Sequence, residues 1–226
     1  MTRTTRKHDN EIESIVSGFL DKHFYPRISE RKNVEVRRWR DREHQLDGID
    51  VSIGNLNFDE KCKCYGCMNS ILQYPSFEIS LDLRYGERLE GWFVNPKLKT
   101  DYYAFLGIFA TVDNPKELVS ESQLEKVDVL WVKKRDVLDF ISQNEGIDGY
   151  SLVEMSRTLV VESNADISTG AYGQKFRRKF KCGKFWLTYS PRLFEKPVNL
   201  VIPRETLEGF PNSKHFVVAE NSLKTT

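Results

Sequence analysis

The sequence lacks several features that mark large classes of protein. It has no run of about 18 apolar residues, the length that a transmembrane helix needs. Its first residues, 1–7, are polar and charged, unlike the apolar centre of a secretion signal. No low-complexity linker divides it. We therefore expect a cytoplasmic protein with no membrane partner, and a single domain over 1–226, with a core over about 10–145 and a C-terminal extension over about 146–220.

An excess of charge of one sign is also missing. There are 34 Lys and Arg residues against 33 Asp and Glu residues, a formal charge of +1, so the whole-chain charge does not indicate a polyanionic partner. The four histidines form no cluster in the sequence. A site built on histidine ligands or a histidine base is therefore not indicated.

One stretch of the chain nevertheless concentrates positive charge. No acidic residue occurs between Ile167 and Leu193. We call this stretch the basic window, and the residues in it that are predicted to bind nucleic-acid phosphates are Lys175, Arg177, Arg178, Lys179, Lys181 and Lys184. The alternative interpretation is an ordinary solvated strand face. A second basic cluster, Arg37 to Arg42, is diluted by acidic neighbours and carries Trp39, which could stack on a base or cover the core edge.

Hydrophobic periodicity predicts an α/β protein. Apolar residues at helical spacing predict a helix over Asn10 to Phe24, with Asn10 and Glu13 as a capping box and Pro26 as its end. Period-2 patterns and apolar runs predict strands over 34–40, 46–53, 56–64, 77–83, 102–111, 127–132 and 198–202. A further helix is expected over 134–143, another after Pro203, a polar turn over 85–90, loops over 146–149 and 162–173, and a frayed end over 221–226.

The most informative pattern is formed by two acidic residues and a lysine. Asp50 lies in the predicted strand 46–53, and Asp59 and Lys61 lie on the strand that follows. Period-2 alternation places Asp59 and Lys61 on one strand face, and the turn at Gly54 and Asn55 folds the two strands together. The three side chains are therefore expected to converge.

Such a group suits hydrolysis of a phosphodiester bond. Mg²⁺ prefers carboxylate oxygens and keeps several waters, so two Asp side chains can supply its protein ligands. Lys61 could orient or deprotonate the attacking water, or balance charge on the phosphate. The alternative is a surface hairpin whose charged edge only keeps the protein soluble.

These residues resemble the PD-(D/E)xK nuclease superfamily. Its restriction-endonuclease-like fold begins helix, strand, strand, strand, and Asp50, Asp59 and Lys61 match its two acidic positions and its lysine. The resemblance covers roughly residues 10–135. It implies a mixed central β-sheet flanked by helices, with additional C-terminal strand-helix elements, and an Mg²⁺- or Mn²⁺-dependent nuclease acting on nucleic acid, expected to be DNA. Asp50 and Asp59 would bind the metal, and Glu13 on the first helix is the candidate third ligand.

The sequence departs from the family pattern at two positions. Ile49 replaces the proline before the first Asp, and Glu60 stands where an apolar residue is frequent. Glu60 shares its predicted face with Phe58 and Cys62, so its charge needs a partner or a wet strand end. Glu60 could also replace Asp59 as a ligand, but Cys62 would then occupy the lysine position.

Two other functions remain open. The first is a catalytically inactive nuclease-fold protein that serves as a nucleic-acid-binding or scaffold module. The second uses a structural Zn²⁺ ion, whose candidate ligands are Cys62, Cys64, Cys67 and Cys182. The spacing of these cysteines suits apolar packing as well as metal binding.

Overall fold

A computed structural model describes residues 3–62, 68–82, 88–168 and 176–225. The chain groups into two compact units, each assembled from separate segments. The first unit comprises Met1–Leu72, Lys99–Lys133 and Phe210–Thr226, and the second comprises Gln73–Leu98 and Lys134–Gly209. The predicted α/β class is confirmed, whereas the single nuclease-like domain over 1–226 stays a prediction.

The described helices and strands follow one another along the chain in a mixed order. The helices are α1 (Arg3–His23), α2 (Tyr25–Lys32), α3 (Arg42–Leu46), α4 (Lys134–Glu145), α5 (Gly149–Ser168) and α6 (Arg204–Glu208). The strands are β1 (Val36–Arg38), β2 (Val51–Ile53), β3 (Leu56–Cys62), β4 (Ser76–Asp82), β5 (Arg88–Glu90), β6 (Tyr102–Ala110), β7 (Leu124–Lys133), β8 (Phe176–Lys179), β9 (Trp186–Tyr189), β10 (Val198–Val201), β11 (Lys214–Ala219) and β12 (Ser222–Thr225).

The first unit is built on a seven-stranded sheet in the order β1-β2-β3-β6-β7-β11-β12. β3 pairs with β6 in parallel, and the other neighbouring strands are antiparallel. Helices α1 and α2 contribute their apolar side to a core with one face of this sheet. Within that core, Phe24 makes edge contacts with Trp131 and Phe216, at ring-centroid distances of 5.5 and 5.2 Å. Alternation leaves Asp59 and Lys61 on the opposite sheet face.

The predicted first helix is confirmed, but its ends were wrong. α1 begins at Arg3, so Asn10 and Glu13 lie inside the helix and form no capping box. α1 ends at His23, before Pro26, and Pro26 lies in the first turn of α2. A proline is tolerated there because the first helical N–H groups have no partner within their own helix.

The predicted hairpin is confirmed, with a shorter first strand. Val51 pairs with Phe58 and Ile53 with Leu56 around the turn at Gly54, whose φ of 59° suits glycine. Leu46, the first residue of the predicted strand 46–53, is instead the last residue of α3. The Asp41 side chain caps α3 by accepting a hydrogen bond from the His44 N–H at 3.0 Å, which favours the helical start.

The second unit is built on a five-stranded sheet in the order β5-β4-β10-β9-β8. Its core face carries Phe77, Ile79, Leu187 and Leu200, which are buried. Helix α5 packs against β4 and β9 of this sheet.

Three local predictions were wrong. The segment 162–168 continues α5 rather than forming a loop, residues 88–90 form β5, and residues 222–225 form β12. The rest of the predicted loop, 169–173, lies outside the described residues. In each described case, backbone pairing or helix propagation outweighed a polar local composition. No helix in the described segments has the length and apolar character needed to cross a membrane.

Candidate active site

Asp50 is held at the start of β2 by backbone and side-chain contacts. Its N–H donates to the carbonyl of Phe58 at 2.9 Å, although Phe58 is already the register partner of Val51. Asp50 and Val51 therefore both lie opposite Phe58, which is the local pattern of a β-bulge. A bulge changes the direction in which a side chain points. The redirected Asp50 carboxylate accepts the N–H of Glu60 through Oδ2 at 2.7 Å.

The loop before Asp50 is fixed to the segment that leads into β6. Thr100 Oγ1 donates to the carbonyl of Gly48 at 2.8 Å, and Lys99 Nζ lies 2.8 Å from Asp47 Oδ2. Gly48 has φ of 73°, a conformation that costs a glycine little. These contacts fix the backbone that carries Asp50, which favours a preorganised site.

Asp59 and Lys61 form an ion pair on β3. Lys61 Nζ lies 2.8 Å from Asp59 Oδ1. The Asp59 side chain is 2% exposed and that of Lys61 is 33% exposed. Asp59 Oδ2 is buried and has no hydrogen-bond partner among the described residues. One carboxylate oxygen of Asp59 is thus satisfied by a partly exposed ammonium, and the other lies on the side of the carboxylate that has no such cation within the described residues.

The pKa of Asp59 is affected by burial and by the neighbouring carboxylate of Asp50. Burial raises its pKa to about 7, against an ordinary value of 3.8. The charge of Lys61 opposes this rise in pKa, whereas the charge of Asp50 adds to it. Asp50 and Asp59 are therefore close enough to repel each other, and a proton or another cation would relieve that repulsion.

Glu13 lies within electrostatic range of Asp50 and Lys61. Burial raises its pKa; the charge of Lys61 opposes the rise, and those of Asp50, Asp9 and Glu60 support it. The helix therefore brings Glu13 near the group, as the superfamily resemblance implied. Within the described residues, however, no three His, Cys, Asp or Glu side chains form a metal-binding group. Glu13 as a third metal ligand stays a prediction.

Glu60 is directed away from this site and has its own partners. It accepts hydrogen bonds from Arg38 at 2.7 and 3.2 Å and another from the Tyr25 hydroxyl. The side chain of Glu60 is 7% exposed, so these partners stabilise a buried charge. The sequence indicated that the charge of Glu60 would need such a partner. Glu60 is therefore occupied by an internal ion pair, which leaves Asp59 as the acidic candidate on β3.

The donor set fits a hard divalent cation. Asp50 and Asp59 supply carboxylate oxygens, and the buried Asp59 Oδ2 has no partner within the described part of the chain. Mg²⁺ can be held by one or two carboxylates because it retains several waters. Asp50 and Asp59 would hold such an ion.

The described residues of the basic window do not all lie on one surface. In the second unit, Arg177 and Lys179 are exposed on β8, whereas Arg178 is half-buried and points to the other sheet face. Lys181 is exposed in the turn after β8, and Lys184 Nζ lies 3.2 Å from Asn144 Oδ1. Lys175 lies outside the described residues.

The cysteines do not test the zinc alternative. Cys62 ends β3 in the first unit, and Cys182 lies in the β8–β9 turn of the second unit, where its N–H donates to Glu145 Oε1 at 2.6 Å. Cys64 and Cys67 lie outside the described residues.

Sequence reasoning missed some polar partnerships that only long-range pairing creates. Arg38 and Tyr25 were not identified as the partners of Glu60. His215 Nε2 lies 2.5 Å from Asp128 Oδ1, and Asp128 is buried on β7 between Val127 and Val129. A lone Asp in an apolar strand signals that a partner must exist, but not which residue it is.

Comparisons with known proteins do not identify a family. No protein-family model, no curated protein and no solved structure matches the chain. The function must therefore be argued from the site.

Proposed function

We propose that this protein is a divalent-metal-dependent phosphodiesterase that acts on nucleic acid, with Asp50 and Asp59 as metal ligands and Lys61 as the residue that assists the attacking water. One observation carries the proposal. Asp59 is buried beside Asp50, its pKa is raised to about 7 by burial with a contribution from Asp50, and Oδ2 lacks a partner among the described residues. Strongly shifted carboxylates of this kind are concentrated at functional sites.

The order of elements supports the restriction-endonuclease-like interpretation. The first unit presents α1 and α2, then β1, the short helix α3, β2 and β3, with Asp50 immediately before β2 and Asp59 and Lys61 on β3. β6, which begins at Tyr102, then pairs directly with β3. Apart from the additional helices α2 and α3, this order is similar to the helix, strand, strand, strand order of the superfamily and to the further strand that often follows in it.

The residues of the site have separable roles in such a reaction. Asp50 and Asp59 would supply the carboxylate oxygens that hold a divalent cation. When bound, such an ion would supply Lewis-acid stabilisation of the phosphate and would make water a better nucleophile. Lys61 is partly exposed and keeps its ammonium 2.8 Å from Asp59, a position from which it can donate to an attacking water or to a phosphate oxygen.

The test is cleavage by the full chain with Mg²⁺ or Mn²⁺ of single-stranded, duplex and branched DNA and of RNA. Asp50→Asn, Asp59→Asn and Lys61→Met should each reduce cleavage by at least about 100-fold, the scale of losing one catalytic group. Circular dichroism should show a retained fold. Asp113→Asn is the matched control, because Asp113 is an exposed carboxylate on another loop of the same unit. If no polymer is cleaved with either ion, the phosphodiesterase proposal is wrong.

A second candidate, the catalytically inactive nucleic-acid-binding or scaffold protein, has its own supporting observation. The side chain of Asp59 is 2% exposed and already ion-paired, as a purely structural buried charge would be. Calorimetry with Mg²⁺ distinguishes the two candidates. Heat of binding that disappears in Asp50→Asn supports the enzyme, and the absence of binding in the unmodified protein supports the scaffold.

A further inference from the structure

The outward face of the second unit's sheet combines aromatic and basic side chains. Arg177 pairs with Thr188, and Lys179 with Trp186, across β8 and β9. Alternation puts these four on one side, opposite to the buried Leu187 and Tyr189. Tyr74 precedes β4 and contacts Trp186. We call Tyr74, Arg177, Lys179, Trp186 and Thr188 the outer patch.

Of the two aromatic rings of the outer patch, that of Tyr74 is exposed and that of Trp186 is half-buried. Tyr74 is 57% exposed, and its ring centroid lies 5.8 Å from that of Trp186 with the planes tilted by 59°. The Arg177 guanidinium lies over the Trp186 ring, 4.7 Å from its centroid.

Charge on this face is positive next to the rings and negative farther away. Arg177 and Lys179 lie on β8 at the sheet edge, and both are exposed. Glu78 lies on the same face, but on β4, where it pairs with Asn199 of β10. In the sheet, β10 and β9 lie between β4, which carries Glu78, and β8, which carries Arg177 and Lys179. An anion would therefore bind to the part of this face formed by β8 and β9.

We infer that the outer patch binds a single strand of nucleic acid, with a base stacked on Tyr74, a second base at Trp186, and the backbone phosphates at Arg177 and Lys179. Single strands expose their base faces, and aromatic side chains on sheets bind them by stacking. In a duplex those faces are covered by neighbouring bases, so Tyr74 could not reach them. The tilt between the rings suits two unstacked bases rather than one base held between them. This inference rests on the proposed function for the polymer class of the ligand.

The test measures binding without cleavage. Fluorescence anisotropy with labelled 12-nucleotide single-stranded DNA and RNA, and with the corresponding DNA duplex, is recorded in EDTA. Because EDTA removes divalent ions, no metal-dependent cleavage occurs. The binding result can therefore be interpreted even if the phosphodiesterase proposal is wrong. We expect the single strands to bind at least tenfold more tightly than the duplex. Tyr74→Ala should weaken single-strand binding by about tenfold, the scale of one lost stacking contact, and Tyr74→Phe should retain it.

Charge variants identify the phosphate contacts. Arg177→Ala should reduce the slope of log affinity against log salt by about 0.7, the value for one phosphate contact to a single strand. Arg157→Ala removes the same charge from α5, where Arg157 is exposed and pairs with Glu154, and should leave the slope unchanged. The inference is overturned if the duplex binds as tightly as the single strands, if Tyr74→Ala binds normally, or if Arg157→Ala and Arg177→Ala have equal effects. Preference for DNA over RNA, or the reverse, would identify the polymer.

Discussion

Arg38 and Glu60 form a doubly hydrogen-bonded ion pair on the sheet face opposite Asp59. Arg38 Nη1 lies 2.7 Å from Glu60 Oε2, and Nη2 lies 3.2 Å from Oε1. Their side chains are 12% and 7% exposed. Because β2 separates β1 from β3, this pair connects two strands that share no backbone hydrogen bonds. The acidic residues of β3 therefore have separate partners on the two sheet faces: Glu60 pairs with Arg38 on one face, and Asp59 pairs with Lys61 on the other.

Arg38→Ala should therefore destabilise the protein strongly. It would leave Glu60 buried without its guanidinium partner, and breaking a buried pair from one side costs about 3–5 kcal/mol in free energy of unfolding. Urea denaturation followed by circular dichroism measures this loss. Arg40→Ala is the matched control, since Arg40 also pairs with Asp21, at 3.3 Å, but is 74% exposed and should contribute less than about 1 kcal/mol. Equal losses in the two variants would contradict the structural role of the Arg38–Glu60 pair.

Asp59→Asn should change the pH dependence of stability. The pKa of Asp59 is raised from 3.8 to about 7 by burial, so the folded state holds the proton more tightly than the unfolded state does. This group therefore makes the protein progressively less stable as pH rises from about 4 to about 7. As pH rises through that interval, Asp59→Asn should become increasingly more stable than the unmodified protein. Above the interval, the difference in stability between the two proteins should stay constant. Thermal unfolding at several pH values checks this, and a difference that does not vary with pH would refute it.

Mg²⁺ affinity should increase with pH. A cation at Asp59 competes with the proton that the raised pKa, about 7, retains there. Calorimetric titrations should therefore show tighter binding at pH 8 than at pH 6, with proton release detected by comparing buffers of different ionisation enthalpy. Binding with the same affinity at both pH values would place the ion elsewhere than on Asp59.

Gly91→Ala should destabilise the second unit. A Cβ atom at Gly91 would lie 2.4 Å from the carbonyl oxygen of Glu78, and backbone atoms cannot move aside cheaply. We expect a loss of about 1–3 kcal/mol in free energy of unfolding, the typical cost of overpacking. Gly149→Ala is the control within the same unit, because its Cβ would make ordinary contacts at 3.8 Å with Val94. A Gly91→Ala variant as stable as this control would show that the close approach to Glu78 is not restrictive.

Several elements with strong local patterns were predicted correctly, whereas the long helix α5 was not predicted and residues 162–168 of it were expected to form a loop. Hydrophobic periodicity and turn residues predict the first helix, the hairpin around Gly54 and the strand from Tyr102. These signals involve residues that are close together in the sequence. The five-residue α3 and the terminal strand β12 were missed. α3 depends on one capping side chain, and β12 forms because β11 precedes it directly, across the turn at Glu220 and Asn221, and offers it a backbone partner.

The sequence by itself determined which chemical groups are available: Asp59 and Lys61 share a strand face because the side-chain period of a strand is 2. The tertiary structure decided how those groups behave. The pKa of Asp59 depends on burial and on the neighbouring Asp50, and Glu60 was paired internally by Arg38 from a non-adjacent strand. Desolvation and Coulomb energy depend on distances through space, and those distances are set by the folded packing rather than by spacing along the chain.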